Sequence, residues 1–159
     1  MANAVIITGG NLGDVAGNLA AARDMVAAEA GTIVAESSIR ESEPWGFKAP
    51  ERFLNQVVVV ESSLEPEEIV ARMQQIEKRL GRKRPEGRKK GYASRTMDID
   101  LLFYGDRIIE TPALTLPHPR IAERAFVLDL LCEIMPGYRH PMLGKTMREL
   151  QETLEKKRS

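Results

Sequence analysis

Apolar residues follow one another along this chain in two rhythms, and the alternation between them predicts the elements. A short apolar run at residues 4–8 reads as a buried strand, and Gly9-Gly10-Asn11-Leu12-Gly13-Asp14 supplies turn residues ahead of a helix expected over residues 15–30. Residues 32–41 are strand-like. Residues 42–52, with Pro44, Gly46 and Pro50, read as a loop. The strongest strand signal is at residues 53–62, with Val57, Val58, Val59 and Val60 in series. Pro66 then stands at a first helical position with Glu67 and Glu68 behind it, Ile69, Met73, Ile76 and Leu80 recur at helical spacing, and Gly81 ends the run. Residues 97–104 alternate as a strand, Gly105-Asp106 makes a turn, and residues 107–109 form a short partner for that strand. Pro112, Pro117 and Pro119 keep the next stretch irregular. Two helices close the chain, at 122–134 and 146–157, the second amphipathic with a basic end that suits its dipole.

Helices and strands interleave without the strict βαβα order of a parallel sheet, and the hairpin signals favour antiparallel pairing. The expected fold class is therefore α+β, a mainly antiparallel sheet with helices packed on it. With 159 residues and neither repeats nor a linker, a single domain spanning 1–159 is expected.

Charge narrows the partners. Lys plus Arg equals Asp plus Glu at 23 each, so no global field draws nucleic acid or an anionic membrane, and any anion must be held locally. No apolar stretch approaches the roughly 20 residues needed to span a bilayer, and the amino terminus has no basic region ahead of its apolar run, which points to the cytoplasm. Cys132 is the only cysteine and lies among Leu130, Leu131, Ile134 and Met135, where it reads as a small buried hydrophobe.

The chemistry gathers at Asp98-Ile99-Asp100. Side chains two apart on a strand share a face, which sets these carboxylates roughly 6 to 7 Å apart, while Met97, Ile99, Leu101 and Phe103 are expected on the opposite, apolar face. Taken alone, such a pair could be two solvated acids on an edge strand. Its upstream neighbours raise the functional reading: Arg82, Lys83, Arg84, Arg88, Lys89, Lys90 and Arg95 run into the strand against one acid, Glu86, with Pro85, Gly87 and Gly91 among them. Guanidinium forks match phosphate oxygens, and Mg²⁺ is held by one or two carboxylates plus phosphate, so this juxtaposition suits phosphoryl transfer. Two look-alikes fail. Gly9, Gly10 and Gly13 lack the lysine and hydroxyl of a phosphate loop and are expected to make a tight turn, and Gly144-Lys145-Thr146 has Arg139 where the first glycine of such a loop belongs. His118, fixed between Pro117 and Pro119, is a candidate ligand contact, whereas His140 has no acidic or cysteine partner at metal spacing and is expected on the surface.

In order, the chain presents Gly10-Asn11-Leu12-Gly13, Phe53-Leu54-Asn55-Gln56, Ile76-Glu77 with Gly81-Arg82, Arg95-Thr96-Met97-Asp98-Ile99-Asp100 and Leu114-Thr115-Leu116-Pro117-His118. This succession resembles the 6-hydroxymethyl-7,8-dihydropterin pyrophosphokinases over residues 4–135. The resemblance implies a ferredoxin-like α+β fold, with ATP and a hydroxymethyl pterin in one cleft and two Mg²⁺ ions on the phosphates. By position, Asp98 and Asp100 match the metal ligands, and Arg82 and Arg95 match loop arginines that assist transfer. Gln74, Glu77, Arg84, Leu101, Thr115, His118 and Arg124 match nucleotide-side positions. Phe53 and Phe126 match the aromatic pair on the pterin, Asn55 the residue on its edge, and Ser42, Glu43 and Trp45 the pterin-side loop. A monomer is the family's implication. The chain departs from common family residues at Gly10, Glu43, Trp45, Tyr92, Ala113 and Pro119.

Two other classes compete on the residues. An RNA-binding domain would use the basic loop, but no strand carries the glycine and aromatic signature such domains need, and aromatic residues make up 5% of the chain. A catalytically silent nucleotide-binding module would not need the Asp98/Asp100 pair.

Overall fold

Strands that are covered on both faces need apolar residues at successive positions, and that is how the sheet of this protein is built. The computed structural model describes residues 1–11, 13–42, 53–81 and 97–158. The elements run β1 (Ala2–Gly10), α1 (Val15–Glu29), β2 (Thr32–Glu36), β3 (Arg40–Ser42), β4 (Phe53–Ser62), α2 (Pro66–Arg79), β5 (Asp98–Tyr104), β6 (Ile109–Glu110), β7 (Thr115–Leu116), a 3-10 turn at Ile121–Glu123, α3 (Ala125–Ile134) and α4 (Met147–Arg158). The main sheet has the order β2-β4-β1-β5, with β3 also on β4, and each of these pairs is antiparallel. Counting β2 and β3 as one interrupted strand, the connectivity is βαββαβ, a ferredoxin-like α+β sheet.

Alternation sends the strand residues to two apolar layers. Ala4, Ile6, Val58, Val60, Ile99, Leu101 and Tyr104 pack with Leu19, Ala22 and Val26 of α1 and with Ile69, Met73 and Ile76 of α2. Val5, Ile7, Val57, Val59, Leu102 and Phe103 pack on the other side with Val127, Leu128, Leu130 and Leu131 of α3 and with Met147 and Leu150 of α4. Cys132 packs half-buried against this second layer, and burial pushes its thiol pKa up. Among the described residues, no helix is long and apolar enough to cross a membrane.

The ends of α1 and α4 lie within one residue of those expected. Asp14 Oδ1 accepts the Gly17 N–H at 3.1 Å and caps α1. At α4, Thr146 Oγ1 accepts the Glu149 N–H at 3.1 Å while Glu149 Oε1 accepts the Thr146 N–H at 2.9 Å, so the Gly144-Lys145-Thr146 stretch leads into a reciprocal cap.

Several expectations are corrected. Gly9 and Gly10 are not a turn: they continue β1, opposite Asn55 and Leu54. The strand expected at 32–41 breaks after Glu36, because Ser37 takes over the ladder through its hydroxyl, which accepts the Val57 N–H at 2.9 Å, and Glu133 of α3 then holds Ser38 through its N–H and its hydroxyl at 2.8 Å each. Phe103 does not share the face of Ile99 and Leu101. Val5 pairs with Phe103 and Ile6 with Leu101, so Leu102 is an extra residue, a bulge that sends it and Phe103 together to the α3 layer. The short strand after Gly105 pairs with β7 rather than with β5. The first residues of the predicted 122–134 helix form the 3-10 turn. His140 is buried, at 6% exposure, with its ring edge-on to Phe103 at 5.6 Å between centroids, and its Nδ1 accepts the N–H groups of Met142 and Leu143 at 3.2 and 3.1 Å. Packing against a strand 37 positions earlier buries it, which no local pattern signals.

Candidate active site

The central strand sets out the site. Gly9 of β1 pairs with Asn55 of β4 on one side and with Asp98 of β5 on the other. With neighbouring strands about 4.8 Å apart, Asn55 and Asp98 lie about 10 Å apart along one row of the sheet. Paired residues share a face, and this row faces the α3 side, as does Asp100 opposite Ile7. The alternation of β4 brings Phe53 to the same face, and Asn55 Nδ2 donates to Ser42 Oγ at 2.7 Å. Phe126, in the first turn of α3, is half-buried against the second apolar layer. Ser42, Phe53, Asn55 and Phe126 thus belong to the sheet surface and the helix covering it.

The acidic residues stand at the rim of a second feature. β5 ends the sheet, and its outer edge is met by side chain and loop: Glu77 Oε2 accepts the Ile99 N–H at 2.7 Å, and the Leu102 carbonyl accepts the His118 N–H at 3.0 Å. Between α2, β5 and the segment following β6 lies a cleft of about 510 Å³. Gln74 and Glu77 come to it from α2, Asp98, Asp100 and Leu101 from β5, and Thr115 and His118 from the loop side, while Val70, Met73, Leu114 and Pro119 add apolar wall. Ala113 also lines it. Glu77 itself is 4% exposed, one turn from Met73 on the buried side of α2.

The charged form of His118 is disfavoured. Burial lowers its pKa, the Arg124 charge lowers it further, Asp98 opposes both and Arg120 adds to the lowering. Its Nδ1 faces the Arg120 N–H at 3.4 Å, which leaves Nε2 as the ring's donor. The electrostatic link also sets Arg124 beside this end of the cleft, although it does not line it. Arg82, Arg84, Arg95, Glu43 and Trp45 lie outside the described residues, as do Leu12 and the basic loop as a whole.

A polyphosphate fits this arrangement in kind. Among the described residues, no three His, Cys, Asp or Glu side chains make a self-sufficient metal cage. The half-buried pair Asp98 and Asp100 is instead of the kind that suits Mg²⁺ when phosphate oxygens and water complete its shell. The sequence did not reveal Glu77 as a partner of a strand amide or the apolar wall at Leu114. The only signal for the first was an acid spaced four residues from Met73 on an otherwise apolar helix face.

The model of the family described as 7,8-dihydro-6-hydroxymethylpterin-pyrophosphokinase (HPPK) matches residues 5–136. A Synechocystis protein named 2-amino-4-hydroxy-6-hydroxymethyldihydropteridine pyrophosphokinase is 40% identical over 153 residues, covering 96% of this chain and 76% of that protein. One of the same name from Porphyromonas gingivalis is 38% identical over 142 residues, 89% of this chain and 95% of that protein. Among solved structures, HPPK-DHPS in complex with substrates superposes with a TM-score of 0.78 at 16% identity over 98% of this chain, which spans 44% of that longer chain and shows the shared fold. On the family match and these relatives, this chain belongs to the HPPK family, the pyrophosphokinases of folate biosynthesis.

Proposed function

We propose that the chain transfers the pyrophosphoryl group of ATP to the hydroxymethyl oxygen of 6-hydroxymethyl-7,8-dihydropterin and releases AMP. The observation that carries this reading is the row Asn55–Gly9–Asp98, which sets a heterocycle-reading amide and a phosphate-side carboxylate about 10 Å apart on one rigid sheet face. In the transfer, the hydroxymethyl oxygen bonds to the β-phosphorus in line, the bond from that phosphorus to the oxygen it shares with the α-phosphorus breaks, and the hydroxyl proton is lost to solvent.

The nucleotide occupies the cleft, with Gln74, Leu101, Thr115, His118 and Arg124 on its side. Neutral His118 offers Nε2–H as a donor to an acceptor oxygen without adding charge. Asp98 and Asp100 would hold Mg²⁺, two ions in the full complex, which would supply neutralisation of the charge that develops on the phosphates. Glu77 fixes the strand segment between the two aspartates. Asn55, held by Ser42, presents a hydrogen-bonding edge to the pterin, and Phe53 and Phe126 give its ring faces to stack on. Glu43 and Trp45 complete the pterin-side loop, and Arg82, Arg84 and Arg95 supply cations to the phosphates by their place in the sequence. The same reading takes residues 1–159 as one catalytic domain that works as a cytoplasmic monomer on small molecules, without nucleic acid or membrane. A net charge of zero is consistent with that.

Phosphorus NMR of the protein with ATP, Mg²⁺ and the pterin tests the reading. AMP and a pterin diphosphate are expected in equal amounts. Accumulation of ADP, or no pterin-dependent product, overturns it.

A further inference from the structure

Gly9 is not a glycine that its backbone requires. The described glycines with positive φ are Gly13, Gly31, Gly81, Gly105 and Gly144, whereas Gly9 sits in the extended ladder of β1 between two paired strands. What excludes a side chain is its neighbour. A Cβ at this position would lie inside van der Waals contact of Asn55 Oδ1 and 3.3 Å from both Asn55 Cγ and the Leu54 carbonyl oxygen. The carbonyl contact asks only a few tenths of an ångström of the paired strand, whereas the Asn55 carboxamide would have to move outright. That group is 6% exposed and tied through Nδ2 to Ser42 Oγ at 2.7 Å. Rotating it away from Gly9 breaks this bond and exchanges the donor and acceptor edges that it presents.

We infer that Gly9 is a positioning and specificity residue for the heterocycle. Its missing side chain lets the Asn55 carboxamide lie flat over the β1 backbone with Nδ2 on Ser42, and this selects one donor-acceptor orientation toward the ligand. The inference rests on the pterin reading of the Asn55 side given above. It assigns the effect to the pterin because the three atoms nearest such a Cβ all belong to Asn55 and Leu54, while the cleft residues, Asp98 of the same row included, lie on or beyond β5 on the other side of β1.

The test is calorimetric titration of the full chain and of Gly9→Ala, Asn55→Ala and the double variant. Each is titrated with 6-hydroxymethyl-7,8-dihydropterin in the presence of Mg²⁺ and a non-hydrolysable ATP analogue, and separately with that analogue alone. Gly9→Ala is expected to weaken pterin binding about tenfold or more and to leave analogue binding within about twofold, the loss expected from one misplaced hydrogen-bonding group. In the Asn55→Ala background the same substitution is expected to cost less than about twofold, since contacting residues are non-additive. If Gly9→Ala does not fold alone, recovery of a cooperative melt in the double variant supports the clash with the carboxamide, and failure to recover overturns it. Equal weakening of both ligands, additive effects, or unchanged pterin affinity in Gly9→Ala also overturns it. A wild-type chain that binds the analogue but not the pterin overturns the functional reading, and the inference with it.

Discussion

Substituting Glu77 asks whether the acidic start of β5 is held from outside the sheet. Its carboxylate is 4% exposed and accepts the Ile99 N–H at 2.7 Å, on the edge of β5 that faces away from β1. Two opposing effects are mixed in that contact. A hydrogen bond to a charged acceptor contributes about 1.5 to 3 kcal/mol, while keeping a carboxylate away from water costs several kcal/mol. Comparing Glu77→Gln with Glu77→Met cancels the second effect, since both replacements are neutral and of similar length and only glutamine keeps an acceptor. In the Met variant the Ile99 N–H, on a residue 6% exposed, loses this acceptor, a penalty of about 1 to 3 kcal/mol. The Met variant is therefore expected to be less stable than the Gln variant by about 2 kcal/mol, or about 4 to 8 °C in Tm for a chain of this size. Urea and thermal unfolding followed by circular dichroism measure the difference. Because Ile99 lies between Asp98 and Asp100, the Mg²⁺ concentration for half-maximal turnover is also expected to rise more in the Met variant. Equal stabilities of the two variants, or a more stable Met variant, would refute the reasoning.

Asp98→Asn keeps size and removes charge, so turnover is expected to fall by about a hundredfold or more with a weakened Mg²⁺ response; an unchanged Mg²⁺ titration would end the clamp assignment. His140 is buried and its pKa is lowered by that burial, so the unfolded chain takes up the proton first. Its contribution to stability is present above the unfolded value of about 6.5 and is lost as pH falls from there toward the folded value. His140→Asn, which retains an acceptor for the Met142 and Leu143 N–H groups but does not titrate, is expected to flatten the decline in urea midpoint between about pH 7.5 and 5.5, over a common background from His118, whose pKa is lowered too. An identical decline in both proteins would refute this. Asp14→Ala removes the acceptor for the Gly17 N–H and is expected to cost about 1 kcal/mol of unfolding free energy, with less than about 0.3 kcal/mol counting against the cap.

Periodicity carried the fold where a residue's surroundings follow from its own neighbours. Val57–Val60 and the Ile69, Met73, Ile76 series announced β4 and the buried face of α2 because their rhythm is set by the element itself. The breaks did not announce themselves. Ser37 leaves the strand because its hydroxyl meets Val57, twenty positions on, and Leu102 is extra only in relation to β1. His140 looked solvated because its burial depends on Phe103. At the site, the shared face of Asp98 and Asp100 was legible from their spacing, since a strand turns every second side chain to one face, but reading them as more than solvated acids needed the basic run ahead of them. Glu77 entered only through the family resemblance, at a nucleotide-side position, because its partner is a backbone amide and sequence carries no mark of one. For Phe53 and Phe126 the residue type is the same for core and for ligand stacking, so only the family resemblance separated the two.

The bulge at Leu102 decides where β5 can change length. Between Asp98 and Leu101 each residue is matched one to one with β1, so an insertion there would turn one carboxylate, or both if it follows Asp100, into the apolar layer under α2. At Leu102 two residues already stand against one, and removing it would leave Phe103 opposite Val5 and Leu101 opposite Ile6 in an unbroken ladder. The carboxylates would keep their aim, and His118 would lose the carbonyl that receives its N–H. Tolerance to length change thus begins two residues past Asp100, and from there an indel acts on the loop side of the cleft while the metal side stays in register.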